Sequence, residues 1–521
     1  MKAAIAIFGQ NLSAELRRAF QELGAVLQFR VEFSSGDDLK TAAALICLGD
    51  LPASAPIMPT FQFVSTNKIS SNVRGGAIEF GNNRILPNFL RGQKLALSKE
   101  ATWEFLDEKC NGETVATING QPIWKINGNL WSVSISPPPM RAGERLSQYF
   151  NGETFLPLLP LYLFLRGLSP ESRWQSPPLR ACMMVDDPNL HAQTYGHVDY
   201  QSLARLAGDL PFHIAFATVP LDAWGTSSRA AKIFRENSRA LSLVIHGNDH
   251  LHYELAQPFQ NGGRDALAFQ SLSRIETLER KAGVRVDRVM APPHGVCAPE
   301  IFSVLRAAGY EGLTTNRWSL WKHNPPEELP MDAGLRPADW MGGLPVLNRF
   351  RFKSSICDGE IFMAALFGQP IIPYGHQKDF ADDMICFRKV IERINSLGAV
   401  RWMSLREILE TNYEHYLDSG TLYLRLFSRR IKLKLPQSIR SLQIISSLPA
   451  EKLQEFEISW QQEKIRAKAG DQVRDLPLEM EVEISEITDA PNKKKTFHPA
   501  RKSPVVRWRR LASEIRDRLK F

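Results

Sequence analysis

The sequence predicts an α/β protein of several domains built around a regular β/α unit. Three observations predict it. The 521 residues are enough for about three or four domains at roughly 100 to 200 residues each. From Arg180 to about Leu409 the chain alternates strand, loop and helix, the pattern of a parallel sheet covered by helices. From Thr421 to about Ser485 it switches to strict every-second-residue hydrophobicity, as in Leu422-Leu424-Leu426, Ile431-Leu433-Leu435 and Met480-Val482-Ile484, which predicts a small antiparallel sheet or sandwich. A composition of 44% hydrophobic and 23% charged residues with 33 Gly and 33 Pro excludes wholesale disorder, collagen and coiled coil.

The expected divisions are residues 1–150, an α/β accessory domain; 175–415, the β/α unit; 420–487, the small β domain; and 488–521, a basic tail. In the first, Lys2 to Phe8 reads as a buried strand. Leu12, Leu16, Phe20 and Leu23 then mark a helix face that Gly24 could end. Ala25 to Val31 and Ala42 to Leu48 read as further strands, and Thr114 to Ile118, Pro122 to Ile126 and Leu130 to Ile135 as hairpin strands separated by Asn-Gly pairs. This layout resembles a class I glutamine amidotransferase-type fold. It lacks a Cys on a strand-to-helix elbow, so it reads as non-catalytic. Phe155 to Leu165 is the most apolar stretch, but it is interrupted by Pro157 and Pro160 and is shorter than the roughly twenty residues of a membrane span, so it reads as core.

The net charge of +8 conceals two parts. From Pro491 to Phe521 there are eleven Lys or Arg against Glu514 and Asp517, a net of +9, which leaves −1 for the rest. The six cysteines show no C-x-x-C spacing and several lie in apolar runs, which suits buried free thiols in a reducing compartment. The short apolar start, Ala3 to Phe8, is no signal-peptide core. A cytoplasmic location is the expectation.

All eleven histidines follow residue 190, and nine fall between His191 and His376, an enrichment that points to metal or acid–base chemistry. The strand Arg180 to Val185 ends in Asp186-Asp187-Pro188-Asn189. Adjacent carboxylates at a strand mouth can divide labour, one binding a metal and one taking a proton; Asp-Pro-Asn is also a common turn. The strand Leu241 to Ile245 runs into His246-Gly247-Asn248-Asp249-His250. Two imidazoles four residues apart on one side of a helical turn can reach one Zn²⁺-like ion; they could equally be surface histidines. Val289 to Ala291 stops at Pro292-Pro293-His294-Gly295, and Pro370 to Gly375 leads to His376. Polar clusters thus end successive strands, where parallel α/β barrels build their sites. The long stretch Asp187 to Tyr200 reads as a substrate-facing loop with Asn189, His191 and Tyr195 as candidate contacts.

The order Asp-Asp, His-x-x-x-His, Pro-Pro-x-Gly and a late His resembles the NodB-homology polysaccharide deacetylases over roughly residues 178 to 410. The resemblance implies a distorted (β/α) barrel of about seven strands. It implies that Asp187, His246 and His250 bind a divalent metal, most plausibly Zn²⁺, with Asp186 as base for the attacking water and His376 as acid. Pro293 and His294 would lie on the substrate side. The implied reaction is removal of an N- or O-linked acetyl group from a carbohydrate or a sugar precursor of a cell-surface polysaccharide. Three departures stand out: Pro188 follows the acidic pair where the family has Gly, Ala291 replaces the Arg that orients the base, and His294 stands where an aromatic is usual. The family's Asp-Trp pair, which tunes the acid histidine, is echoed by Asp339-Trp340. Two alternatives remain open: a barrel without catalysis that binds carbohydrate or acts as a scaffold, and a glycoside hydrolase with Asp186 as nucleophile.

In the tail, Val505, Trp508, Leu511 or Ala512, Ile515 and Leu519 recur at helical steps, with Arg507, Arg510, Arg518 and Lys520 largely elsewhere on the wheel. A basic amphipathic helix bearing Trp suits an anionic membrane surface or could dock on the protein's own body. No aromatic-interleaved module supports a nucleic-acid partner. The tail therefore reads as a locator, separate from the chemistry.

Overall fold

A computed structural model describes residues 2–9, 12–34, 42–52, 58–64, 73–74, 76–96, 102–107, 110–135, 140–152, 154–257, 263–324, 329–445, 454–487 and 504–518. The chain forms two compact units: Met1–Trp174 with Ser355–Leu366, and Gln175–Ser354 with Phe367–Phe521. All six cysteines are free thiols. Among the described residues no helix is long and apolar enough to cross a membrane.

The first unit holds a nine-stranded sheet. Arg30–Ser34, Ala4–Gly9, Ala44–Leu48, Thr60–Phe63 and Leu130–Val133 run parallel, and the sheet continues as an antiparallel meander through Gln121–Asn127 and Glu113–Ile118. Asn119 and Gly120, both at positive φ (51° and 80°), form the tight hairpin turn that their sequence announces. The first helix does not end at Gly24; it spans Ala14–Val26. Gly24 is needed instead for packing, because a Cβ there would lie 2.4 Å from Val31 Cγ2. The following strand accordingly starts at Arg30 rather than Ala25. The apolar stretch after Phe155 forms the mostly buried helix Leu159–Leu168.

In the second unit, β1 (Met183–Asp186), β2 (Ile214–Thr218), β3 (Leu241–His246), β4 (Val286–Ala291), β5 (Gly312–Thr315) and β6 (Leu344–Asn348) are parallel neighbours in chain order. The chain passes through Arg349 into β7 (Phe350–Arg351), which pairs with β8 (Pro373–His376), and β8 pairs with β1. The sheet thereby curls back on itself. β6 and β7 are one strand that changes neighbour at Arg349: the Arg349 N–H donates to Thr315 O on the β5 side (3.0 Å), and the Phe350 N–H to Ile372 O on the β8 side (3.1 Å). With β6 and β7 counted together, the eight labelled strands make a seven-stranded ring.

The interior of this ring is filled by Met184, Ala215, Ala217, Val244, Val289, Ala291, Leu347 and Ile372, all buried in one cluster. Side chains two apart on a strand share a face. Met184, Val244, Leu347 and Ile372 inside therefore put Asp186, His246, Arg349 and, two steps beyond Ile372, Tyr374 on the same inner face, with His376 next along.

The remaining β region is a sandwich. One four-stranded sheet contains Tyr413–Asp418, Thr421–Leu426, Ser441–Ile445 and Gln472–Val473, and the other Arg430–Lys434, Glu481–Glu486, Glu455–Trp460 and Glu463–Lys468. The expected alternation is its cause: Leu422, Leu424 and Leu426 from one sheet meet Ile431, Leu433, Val482 and Ile484 from the other in a single core. One pair, Thr421–Leu426 with Ser441–Ile445, is parallel rather than antiparallel. In the tail, Pro504–Arg518 is helical. The Lys493 to Lys495 run, Leu519 and Lys520 lie outside the described residues.

Candidate metal centre and acid–base site

Asp186 ends β1 with its side chain in the ring and 4% exposed, and Arg349 meets it from across the β6–β7 junction. Arg349 Nη1 donates to Asp186 Oδ1 at 2.7 Å, and the guanidinium lies over the Tyr374 ring at 4.3 Å. Burial would raise the Asp186 carboxyl, but the Arg349 charge, with smaller help from His246 and His376, holds it below the ordinary carboxylate value. Asp186 is thus an ionised acceptor in an almost dry site.

Asp187 is the next residue and lies just beyond the end of β1. Its backbone adopts φ +81°, and its N–H donates to Ala217 O on β2 (3.2 Å). Its Oδ1 lies 2.9 Å from His250 Nε2 and 3.6 Å from His246 Nε2. Ligating atoms of these three residues all fall within 4.8 Å of one another, the one such grouping among the described residues. His246 Nδ1 donates to the Ala291 carbonyl at 2.8 Å, which fixes the tautomer and leaves Nε2 as a lone-pair donor toward Asp187.

The histidines do not share a helical turn, as their spacing suggested. His246 closes β3, and Gly247 (φ +61°) and His250 (φ +57°) fold the chain back. The Glu254 carboxylate holds that turn by accepting from the N–H groups of Asn248 (2.6 Å), Asp249 (3.0 Å), His250 (3.3 Å) and Leu251 (3.3 Å).

These residues fit a divalent metal. Asp187 Oδ1 is buried and faces the Nε2 atoms of both imidazoles, at 2.9 and 3.6 Å. Two imidazole nitrogens and a carboxylate oxygen are the donors of a three-residue site with positions left for water and substrate. Burial pushes the His246 imidazole down to about 4, so it is neutral and able to ligate at neutral pH. Burial opposes the charged forms of Asp187 and His250, but their hydrogen bond and mutual attraction hold the carboxyl well below and the imidazole above their ordinary values.

His376 ends β8 in register with Asp186. Its backbone N–H donates to Asp379 Oδ2 (2.8 Å), and Arg351 Nη1 lies 3.4 Å from its Nδ1. Asp339 does not neighbour it in this way: Asp339 accepts from the Gly334 N–H at 2.7 Å, and burial pushes its carboxyl up to about 6. Pro293 is buried under the site, where its ring would meet any side chain at position 247. His294 (φ +59°) is exposed, 5.6 Å from the His250 ring and 4.8 Å from the His252 ring.

Three candidate substrate contacts are held differently from expectation. Asn189 is 1% exposed and donates to Asp222 Oδ2 (3.3 Å), so it shapes the loop from within. Tyr195 is fully buried. His191 is partly buried and donates from Nδ1 to Glu514 (3.0 Å) and from Nε2 to the Asp222 carbonyl (2.9 Å). Burial disfavours its charge, but Glu514 and the Asp222 carbonyl outweigh burial and hold it above the usual histidine value.

Sequence reasoning missed Arg349, Glu254, Asp222 and Arg510. Arg349 carried a usable signal, since it and Arg351 are the charges in the run Leu344 to Phe352, at the parity of Leu347; Asp222 and Arg510 meet only through long-range folding, and Glu254 binds the amides of its own turn. The tail is no separate element either. Arg510 forms an ion pair with Asp222 at 2.9 Å and donates to the Asp187 carbonyl at 3.1 Å.

No protein-family model matches the chain, and no curated protein matches it. Solved structures similar to part of it include a family 4 carbohydrate esterase from Streptomyces lividans in complex with acetate, at 13% identity and TM-score 0.27, over 44% of this chain and 93% of that one. A Streptococcus mutans CE4 esterase is similar at 13% identity and TM-score 0.27, over 44% of this chain and 86% of that one. A CE4 family pseudoenzyme from Bacillus anthracis is similar at 10% identity and TM-score 0.25, over 44% of this chain and 69% of that one. At these identities and TM-scores the likenesses bear no weight in the functional reading.

Two outcomes follow from the geometry. A Cβ on Gly247 would lie 1.8 Å from Glu254 Oε1 at a positive φ. Gly247→Ala should therefore destabilise the protein by at least about 1–2 kcal/mol and abolish stoichiometric divalent-metal uptake; unchanged urea midpoint and metal content would refute the turn's role. Arg349→Met should cost about 3–5 kcal/mol at pH 7 by leaving a buried carboxylate unpaired. The Asp186 pKa is depressed in the fold, so its stabilisation is present above the unfolded pKa of about 3.9 and is lost as pH falls through the folded value. In the variant the unpaired buried carboxyl takes up a proton as the pH falls, so the gap between wild type and variant should narrow in acid, and urea unfolding at pH 7, 5 and 4 checks it.

Proposed function

We propose that the protein is a metal-dependent hydrolase that removes an acetyl group from a carbohydrate. The observation that carries this reading is the meeting, at one end of the ring, of two distinct sets. One is the donor triplet Asp187, His246 and His250; the other is a separate ionised carboxylate, Asp186, with His376 beside it in register. Asp187, His246 and His250 would hold a divalent ion, which when bound would supply a Lewis acid for the acetyl carbonyl and the attacking water. Asp186, kept charged and aimed by Arg349, accepts the proton of the attacking water. His376, in its doubly protonated imidazolium form, gives a proton to the leaving nitrogen or oxygen and becomes the neutral imidazole. Water adds to the acetyl carbon, the C–N or C–O bond breaks, and acetate and the free amine or alcohol result.

Ala291 leaves the β4 position without a guanidinium for the base. Arg349 supplies one from the β6–β7 junction, which counts against a barrel that has lost catalysis. A carbohydrate substrate is supported by exposed aromatic side chains: Trp224 (61% exposed) beside His191, and Tyr253 (40%) beside His294. Such rings offer flat apolar faces to sugar C–H groups.

Purified wild type should carry a divalent metal and release acetate from N- or O-acetylated oligosaccharides. Asp186→Asn should keep the metal and lose at least about 100-fold in rate. Acetate release by Asp186→Asn at the wild-type rate would remove the base assignment, and release of sugar without acetate would favour a glycosidase. The helix Pro504–Arg518 exposes Val505, Trp508, Leu511 and Ile515 within a tail of net charge +9, a combination suited to an anionic lipid surface. Co-sedimentation with phosphatidylserine vesicles should fall for Trp508→Ala and at high salt; no sedimentation of wild type would exclude this partner.

A further inference from the structure

The helix Pro504–Arg518 is docked by its charged side. Arg510 (8% exposed) and Glu514 (6%), one turn apart, are buried against the second unit's ring, whereas Val505 (71%), Trp508 (70%) and Ile515 (47%) point outward. Among the described side chains of this helix, the buried ones are charged and the apolar ones are exposed. Burying a guanidinium and a carboxylate is costly unless both are paired, so the partners specify the docking.

Those partners converge on the loop that carries Asp187. Arg510 Nε lies 3.1 and 3.3 Å from the two Asp222 carboxylate oxygens, and Nη2 lies 2.9 Å from Asp222 Oδ2. The same Nη2 donates to the Asp187 carbonyl at 3.1 Å. Asp222, 3% exposed, also accepts from Asn189 two residues further on. Glu514 fixes His191, whose other nitrogen returns to the Asp222 carbonyl. Asp187 holds a left-handed backbone without being glycine, a conformation that persists only where its surroundings determine it. Its N–H is tied to β2 and its carbonyl to Arg510. Without the guanidinium, that carbonyl loses its donor, and the buried Asp222 carboxylate loses its counter-ion close to a ligand of the same sign.

We propose that Arg510 is a positioning residue for Asp187, so that the helix Pro504–Arg518 completes the candidate metal centre. The inference rests on the metal-centre reading. Partners behind metal ligands typically change affinity about 10- to 100-fold when removed.

The test is Zn²⁺ titration of the full-length protein by calorimetry in competition with a chelator, alongside amide hydrogen exchange of metal-free protein over residues 187–191. Arg510→Ala should weaken Zn²⁺ about 10- to 100-fold and speed exchange in that segment. Arg510→Lys keeps the charge but loses the two-pronged contact, and should fall between; it also serves if Arg510→Ala does not fold. Trp508→Ala, on the outward face, should match wild type in both measurements. Unchanged affinity and exchange in the Arg510 variants would overturn the inference alone. A wild-type protein that takes up no Zn²⁺ would sink the metal-centre reading and the inference with it.

Discussion

The ion pair between Arg349 and Asp186 joins two requirements that are usually met separately, closing a barrel and setting up its base. Arg349 occupies the single residue at which one strand changes neighbours, its own N–H bonding to one side of the ring and the next residue's to the other. Its side chain crosses to the end of β1 and neutralises a carboxylate with almost no access to solvent. Two charges in that position are stable only together: each alone would incur a desolvation penalty larger than most single contacts return. The ring that brings β6 and β7 toward β1 is thus also what keeps Asp186 ionised.

From that anchor the division of labour between adjacent carboxylates follows. Asp186 closes the extended strand with its side chain in the ring against Arg349, whereas Asp187 leaves the strand at φ +81° and presents its carboxylate to His246 and His250. Each is then held by different means. Asp186 is held by a charge, and Asp187 by backbone hydrogen bonds on both sides, one of them from a helix more than three hundred residues away along the chain. The turn after β3 uses the same device, since one carboxylate, Glu254, gathers the amides that aim His250. The ligand geometry is a product of buried acids and arginines outside the triplet.

Much of this was legible in the residues. The acidic pair, the two histidines and His376 stand at strand ends that alternating hydrophobicity marks, and the sandwich follows from leucines and isoleucines at every second position. Two local inferences were mistaken. The four-residue histidine spacing suggested a helix, where the Glu254 carboxylate instead gathers the amides of a turn; Gly24 suggested a helix end, where the helix instead runs on to Val26 with Gly24 packed on Val31. The apolar stripe of the tail suited either a lipid surface or docking on the protein's own body; in the structure Val505, Trp508, Leu511 and Ile515 are exposed, and Arg510 and Glu514 are buried.

The sequence by itself determined which residue types end which strands, because periodicity and turn chemistry are local and each strand carries its own record of an inner and an outer face. Only the tertiary structure decided which distant charges complete the site. Arg349, Asp222 and Arg510 are ordinary charged residues until folding removes water from around them. A buried charge must then have a partner, and the chain finds those partners at separations that no local pattern encodes.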